Sequence, residues 1–140
     1  MKLKHLFTLL AAFAITVPAF AADEDTPLGK EMEKISKALK AINRNIADAG
    51  SKDANLAKLA EAKTACAAAS KFDPAKTKDV PAAEKAKFIE SYKASMQDLG
   101  KGLDALKAAI EGGKTDDAKG IIEKLNGQKK EGHKKYKAED

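Results

Sequence analysis

Apolar residues recur between positions 27 and 137 at steps of three and four, which is the spacing of one face of an α-helix. In the first such segment the stripe is unbroken from its first residue to its last. Nothing in the chain alternates between apolar and polar positions as a half-buried strand does. The pattern therefore predicts an all-α fold with four amphipathic helices, at residues 27–49, 53–71, 82–111 and 115–137.

Residues that favour turns separate the four segments. Thr26 followed by Pro27 is typical of a helix start, because the hydroxyl accepts from a free N–H and proline lacks one. Two prolines oppose an α-helix through residues 72–81. Other boundaries are expected at Gly50, at Gly112 and Gly113, and at either Thr115 or Asp116 as the cap of the fourth helix. Short connections make neighbouring helices antiparallel, which predicts an up-down-up-down four-helix bundle.

The start of the chain has the three regions of a secretory signal peptide. Two lysines give it a positive start, residues 6–17 are apolar apart from two threonines, and Ala19-Phe20-Ala21 is a small-x-small cleavage site. The apolar run is shorter than the roughly 20 residues that a membrane-spanning helix needs, which disfavours a retained anchor. We therefore expect residues 1–21 to be removed. The mature chain, residues 22–140, would be a periplasmic domain without stable membrane insertion.

Charge and cysteine content narrow the function classes. Without the two leader lysines, 24 of the 26 basic residues remain against 21 acidic ones, a formal charge of about +3. Lysine alternates with Glu and Asp along every segment, which is typical of solvated helix faces and not of a nucleic-acid interface. The basic stretch at residues 129–137 suits docking to an acidic partner. Cys66, the only cysteine, is expected to be a small buried side chain, and the absence of C-x-x-C-H excludes covalent c-type haem attachment.

The antiparallel order brings the unusual residues of the mature chain to one end of the bundle, here called the open end. It is the end where the first helix begins and the fourth helix finishes. A flat apolar cofactor would account for this grouping, and two axial ligands of a haem iron must come from different helices. The residues expected at the open end are the four aromatic residues Phe72, Phe88, Tyr92 and Tyr136, the only histidine of the mature chain, His133, and Met32.

Each of these residues also has an ordinary structural interpretation. Met32 continues an apolar stripe, where methionine is a common gap filler, and His133 alone is equally explained by an exposed or hydrogen-bonded side chain. The aromatic residues alone are consistent with ordinary core packing. On the residues alone, the haem site and these alternatives both stay open.

The sequence resembles the cytochrome b562 family over essentially the whole mature chain. The segment TPLGKEMEKISKAL at residues 26–39 is similar to the first helix of that family. The segments EGGKTDDAK at 111–119 and LNGQKKEGHKKYK at 125–137 are similar to its fourth helix. The resemblance implies one non-covalent haem b, with the ligand methionine at Met32 and the ligand histidine at His133.

The resemblance also implies which residues surround the haem. Lys129 and Lys137 stand where the type member has arginines, and either lysine would pair with a propionate as a point charge. Met96 replaces an aromatic residue of the type member and is the one rival sulfur ligand, although its deeper position favours Met32. A loop around Pro74 and Pro81 would cover one edge. The side chains expected against the haem are Ile35, Leu39, Leu59, Phe88, Tyr92, Met96 and Tyr136.

These expectations describe an electron carrier that exchanges electrons with periplasmic redox partners, and not an enzyme. An iron with both axial positions filled has no open site, and the sequence shows no nucleophile–base pair, histidine cluster or phosphate loop. The alternative is a haem-free periplasmic bundle that binds other proteins or metal. In that case Phe88, Tyr92 and Tyr136 would fill the open end and leave no room for a ring.

Overall fold

The computed structural model describes residues 25–138 and confirms the all-α four-helix bundle. The expected signal peptide at residues 1–21 lies outside the described residues. Each helix packs against the next one along the chain, and the last returns to lie beside the first. Two short 3-10 helices, Ala49–Ser51 and Ala75–Asp79, occupy connections. The four α-helices are α1 (Pro27–Asn45), α2 (Lys52–Ala69), α3 (Lys85–Glu111) and α4 (Thr115–Tyr136).

The first helix begins as predicted and ends four residues before the predicted end. The Thr26 hydroxyl accepts a hydrogen bond from the N–H of Gly29 at 2.9 Å, which satisfies one of the free donors of the first turn. The helix stops at Asn45, and Gly50 is not its terminator. Instead, the Asp48 carboxylate accepts from the N–H of Gly50 at 2.9 Å and so starts the 3-10 turn that leads into α2.

The connection between α2 and α3 contains no α-helix, as its prolines predict. It holds the five-residue 3-10 helix Ala75–Asp79 between them, and α2 ends at Ala69, two residues before the predicted end. α3 starts at Lys85, three residues later than predicted. The delay arises because Pro81 to Glu84 form a turn, in which the N–H of Glu84 donates to the Pro81 carbonyl at 2.8 Å.

The chain reverses between α3 and α4 at Gly113, whose φ of +66° is accessible to glycine at little cost. The N–H of Lys114 then donates to the Ala109 carbonyl at 2.9 Å. Lys114 occupies the N-cap position of α4, without a side-chain cap. The prediction of Thr115 or Asp116 as the cap was therefore wrong, because the reversal is tight enough that the helix already begins at Thr115.

One continuous core runs through the bundle, and it is packed unevenly. Three of the six buried residues of α2 are alanines, which allows α1 and α3 to approach it closely. By contrast, α1 and α4 make few contacts with each other. This sparse packing leaves space between the start of α1 and the end of α4. The largest fully buried aliphatic side chains are Ile35, Leu39, Ile42, Leu59, Leu103, Leu106, Ile122 and Leu125.

Candidate functional site

A cavity of about 910 Å³ lies at the open end of the bundle. Its two facing walls come from the first turns of α1 and the last turns of α4, while α3 and residues 72–75 close the back and one side. α2 contributes no lining residue. The cavity thus lies where α1 and α4 pack sparsely, and its position follows from the uneven packing of the bundle.

The cavity brings the two predicted haem ligands to facing walls. Met32 lies in the second turn of α1 and is half-buried. His133 is exposed and lies one turn before the end of α4, where its carbonyl accepts from the N–H of Lys137 at 3.0 Å. A thioether and an imidazole on opposite sides of one cavity form a donor set that haem iron accepts as axial ligands.

Aromatic rings from α3 and α4 pack together beside this cavity. The Tyr136 ring lies edge-on to Phe88 at 5.4 Å and to Tyr92 at 5.2 Å between centroids. The Tyr92 hydroxyl donates to the Ala69 carbonyl of α2 at 2.8 Å, and burial raises the pKa of Tyr92, with smaller contributions from Cys66, Asp73 and Tyr136. Tyr92 and Tyr136 both line the cavity. The fourth predicted aromatic residue, Phe72, also lines it and is 38% exposed.

Four lysines line the α4 side of the cavity, and two of them, Lys129 and Lys137, are the predicted partners of the haem propionates. Lys129 is half-buried, and the loss of hydration lowers its pKa, which means that its charged form gains from a nearby anion. Lys137, just after the end of α4, is also partly buried. Exposed acidic side chains line the cavity as well: Glu33, Asp73, Asp98 and Glu131. The cavity therefore combines an apolar interior with charged groups of both signs.

A comparison with protein-family models identifies the group of proteins to which this bundle is related. The model described as cytochrome b562 matches residues 27–137, from the first residue of α1 to just beyond the end of α4. The chain belongs to the cytochrome b562 family. No curated protein matches the chain. Membership of the cytochrome b562 family indicates a haem-binding electron-transfer protein with b-type haem. Proteins of this family are electron carriers rather than enzymes.

Seven of the eleven site residues predicted from the sequence line the cavity of this cytochrome b562 family member. The other four lie elsewhere. Ile35, Leu39 and Leu59 are at most 1% exposed within the aliphatic core and do not line the cavity. Phe88 contacts the Tyr136 ring but does not line the cavity. Their contact with haem stays a prediction. The seven cavity residues are Met32, Tyr92, Met96, Lys129, His133, Tyr136 and Lys137.

Several lining residues were not among the predicted site residues. Leu28 lies one turn before Met32 on the same apolar stripe, so its position could have been inferred from helical spacing. Leu99 extends the α3 stripe in the same way. Gly132 and Gln128 carry no such signal, because neither side chain is apolar or a ligand. Of the expected covering loop, Phe72, Asp73 and Ala75 line the cavity, whereas Pro74 is buried beside it and Pro81 is not part of the lining.

The single cysteine of this cytochrome b562 family member is separate from the large cavity. Cys66 lies on α2, is buried, and its Sγ donates to the backbone carbonyl of Met96 at 3.5 Å. Burial raises the pKa of the Cys66 thiol. These features agree with the predicted role of a small buried side chain.

Two further properties of the described chain bear on the function classes. Within residues 25–138, no three His, Cys, Asp or Glu side chains lie close enough together to hold a metal ion. Over the same range, no helix has the length and apolarity that crossing a bilayer requires.

Proposed function

We propose that this member of the cytochrome b562 family is a periplasmic electron carrier. It holds one haem b without a covalent bond, and Met32 and His133 are the axial ligands. The observation that carries the proposal is the cavity with Met32 on one wall and His133 on the facing wall, in a chain of a haem-binding family. Neither residue alone would support it, since each has an ordinary structural interpretation.

The residues of the cavity fit a haem in size and chemistry. Its volume of about 910 Å³ lies within the range of about 300–1,000 Å³ that is common for small-molecule and cofactor sites. Tyr92, Met96 and Leu99 make the back of the cavity apolar, which suits the faces of a porphyrin ring. Met96 is only 5% exposed on α3, whereas Met32 is half-buried on α1, one of the two helices between which the cavity lies, and this favours Met32 as the sulfur ligand.

The position of the only cysteine supports non-covalent binding. A thioether link to a vinyl group would need a cysteine in the cavity, and Cys66 lies on α2, which contributes no lining residue. The haem would therefore be retained by its axial bonds, by apolar contact and by charge.

The side chains of this cavity define what a bound haem could do. When bound, haem supplies one-electron exchange at its iron. Met32 and His133 would occupy both axial positions, which leaves no site for oxygen or a substrate and restricts the protein to electron transfer. As a ligand, the Met32 thioether would favour the reduced state and so raise the potential. The cavity opens beside exposed side chains, so one ring edge would stay near solvent, where a redox partner could approach.

Lys129 and Lys137 are the proposed partners of the haem propionates. Lys129 is the clearer case, because partial burial in the cavity wall already disfavours its charged form. A propionate would restore that lost stabilisation. The basic stretch of residues 129–137 would also help to orient an acidic redox partner near the cavity.

Periplasmic location and periplasmic redox partners are part of the same proposal and are supported by the leader-like sequence of residues 1–21. Expression of the full chain in a Gram-negative host should release a shortened, haem-loaded protein on osmotic shock. Retention of an unprocessed chain in the cytoplasm would contradict the location while leaving the haem site untouched.

Titration of the purified mature chain, residues 22–140, with haemin tests the proposed function. We expect saturation at one equivalent, a low-spin six-coordinate absorption spectrum, and reversible reduction and reoxidation. Extraction with acidified acetone should remove all the haem, as expected for a non-covalent cofactor. Binding that never saturates, or haem that stays with the protein on extraction, would contradict the proposal.

The haem-free alternative predicts an open end without room for a ring. The rings of Tyr92 and Tyr136 do pack together with Phe88, as that alternative requires. However, the large cavity lies beside them, and both tyrosines line it. The alternative's prediction that no room is left for a ring is therefore not met, and the geometry favours the haem-binding function.

A further inference from the structure

The last turn of α4, which carries His133, is tied to α3 by a hydrogen-bond network around Tyr136. The Tyr136 hydroxyl lies 2.9 Å from the hydroxyl of Ser91 and 2.9 Å from that of Ser95. Lys135 Nζ donates to the Ser91 hydroxyl at 2.6 Å and lies 5.1 Å from the centre of the Tyr136 ring. The network thus connects two successive turns of α3 to the final turn of α4.

The direction of each hydrogen bond in this network follows from the number of available protons. Ser95 donates its single hydroxyl proton to the Ser91 carbonyl at 3.0 Å, so it must accept from Tyr136. Tyr136 then has no proton left for Ser91 and accepts from it. Ser91 in turn accepts from the ammonium of Lys135, which can only donate. Every donor in the series has one acceptor, so the Tyr136 hydroxyl is held from two sides.

The end of α4 is bonded to α3 through this network. Helix ends fray when nothing holds them, and α1 makes few contacts with α4. Tyr136 is the last residue of α4 and lies three positions after His133, so the two side chains are neighbours on the helix surface, and both line the cavity. Whatever fixes Tyr136 against α3 therefore also fixes the helical turn from which the imidazole projects.

We propose that Tyr136 is a positioning residue for the haem ligand His133, and that it acts through its hydroxyl bonds to Ser91 and Ser95. This inference rests on the proposed haem site and extends it to Ser91, which is not part of the lining, whereas Ser95 and Tyr136 are. The aromatic contacts of Tyr136 hold its ring in the bundle. The hydrogen bonds of its hydroxyl set how the last turn of α4 is rotated about the helix axis and where it lies along that axis.

Three variants separate the network from the ring. Tyr136→Phe keeps the contacts with Phe88 and Tyr92 and removes only the hydroxyl. Ser91→Ala with Ser95→Ala removes both partners and leaves the tyrosine intact. Thr64→Ala is the matched control, because Thr64 donates to the carbonyl four residues back at 3.1 Å, as Ser95 does, but lies exposed on α2.

Two measurements on the mature chain read out the effect. Amide hydrogen exchange of residues 133–137 without haem reports how firmly the last turn is held. The rate of haemin loss to an excess of apomyoglobin, with the fraction of high-spin spectrum, reports the His133 bond to iron. We expect faster exchange, about five-fold faster haemin loss and a raised high-spin fraction in Tyr136→Phe and in the serine double variant. Thr64→Ala should match the unaltered chain in both measurements.

Each other outcome would overturn the inference. Faster exchange with unchanged haemin loss and spectrum would make the network a structural tie without a role in ligation. A change in Tyr136→Phe that the serine double variant does not reproduce would assign the effect to direct contact between the hydroxyl and haem. If the unaltered chain binds no haemin, the proposed function fails, and the exchange data still show whether the network holds the last turn.

Discussion

At the scale of single residues, Lys129 has a lowered pKa because part of its hydration is lost in the wall of the cavity. If a propionate occupies the space beside it, replacing Lys129 should weaken haem binding. We expect Lys129→Met to lower haemin affinity by about five- to ten-fold, because a charge-assisted bond is lost. Haemin titration at low and high salt would measure this, with the difference shrinking at high salt.

Lys130→Met is the control for this experiment. The substitution Lys130→Met removes the same charge from the neighbouring position of α4. Lys130 is exposed and does not line the cavity. An equal loss of affinity in both variants would mean that the general positive charge of α4 attracts haemin, and that Lys129 has no specific partner.

Tyr92 should make the stability of the haem-free protein fall at alkaline pH. Burial raises its pKa above the ordinary value of about 10, so its hydroxyl ionises in the unfolded chain before it does so in the folded one. The unfolded state then binds fewer protons, and the contribution of Tyr92 to stability is present below pH 10 and is lost as pH rises above it. Urea unfolding of the mature chain and of Tyr92→Phe at pH 8 to 11 should show the stability advantage of the tyrosine shrinking by up to about 1.4 kcal/mol per pH unit. A constant difference across this range would contradict the assignment.

The candidate ligands could be predicted from the sequence, whereas several of the apolar site residues could not. Met32 and His133 stand out by residue type at one end of the bundle. Ile35 and Leu39 continue the same α1 stripe as Met32, and spacing shows only that they face inward. The stripe does not tell which neighbouring helix each position meets. Ile35 and Leu39 are fully buried in the core, and Met32 meets the gap beside α4.

At the scale of the helices, Gly127 in the interior of α4 and Gly102 in the interior of α3 have different surroundings. Gly127 on α4 is exposed, and a Cβ built there meets nothing within 4 Å. At Gly102 on α3, a Cβ would lie 2.5 Å from Cδ2 of Leu125, which is itself only 1% exposed. Close packing of α3 on α4 therefore requires a glycine at position 102 but not at position 127.

Replacing these glycines by alanine should change stability in opposite directions. Gly127→Ala should raise the free energy of unfolding by about 0.5–1 kcal/mol, since alanine favours the helix. Gly102→Ala has the same intrinsic gain, but the added methyl group displaces a buried leucine, which typically costs about 1–3 kcal/mol. Urea unfolding of both variants measures the difference. A stabilised Gly102→Ala would show that α3 and α4 are less closely packed than the structure indicates.

Helix existence and type could be predicted from periodicity, but the ends of three helices depended on local hydrogen bonds. α1 stops before Gly50 because Asp48 starts a new turn, and buried Asn55 donates to the Asn45 carbonyl at 3.4 Å, which provides a partner for a terminal carbonyl. Such bonds depend on where the next helix lies. They are not visible in the spacing of apolar residues.

At the scale of the whole molecule, the site exists because the bundle is packed asymmetrically. The antiparallel order of the helices already groups the aromatic residues, Met32 and His133 at one end. The sequence does not show that α1 and α4 are the pair that separates there, because this depends on how closely the alanine face of α2 draws in its two neighbours. The bundle and the ligand pair were thus predictable, and the shape of the cavity between them was not.

In the proposed haem complex, Met32 and His133 both bind the same iron. The most direct test is the absorption spectrum of the haemin complex of the mature chain, oxidised and reduced, beside Met32→Ala, His133→Ala and Met96→Leu. Loss of either ligand should convert the low-spin six-coordinate spectrum to a high-spin one, whereas Met96→Leu should stay six-coordinate with sulfur ligation. A spectrum that is indifferent to Met32→Ala or His133→Ala, or one that turns high-spin only in Met96→Leu, would contradict the account.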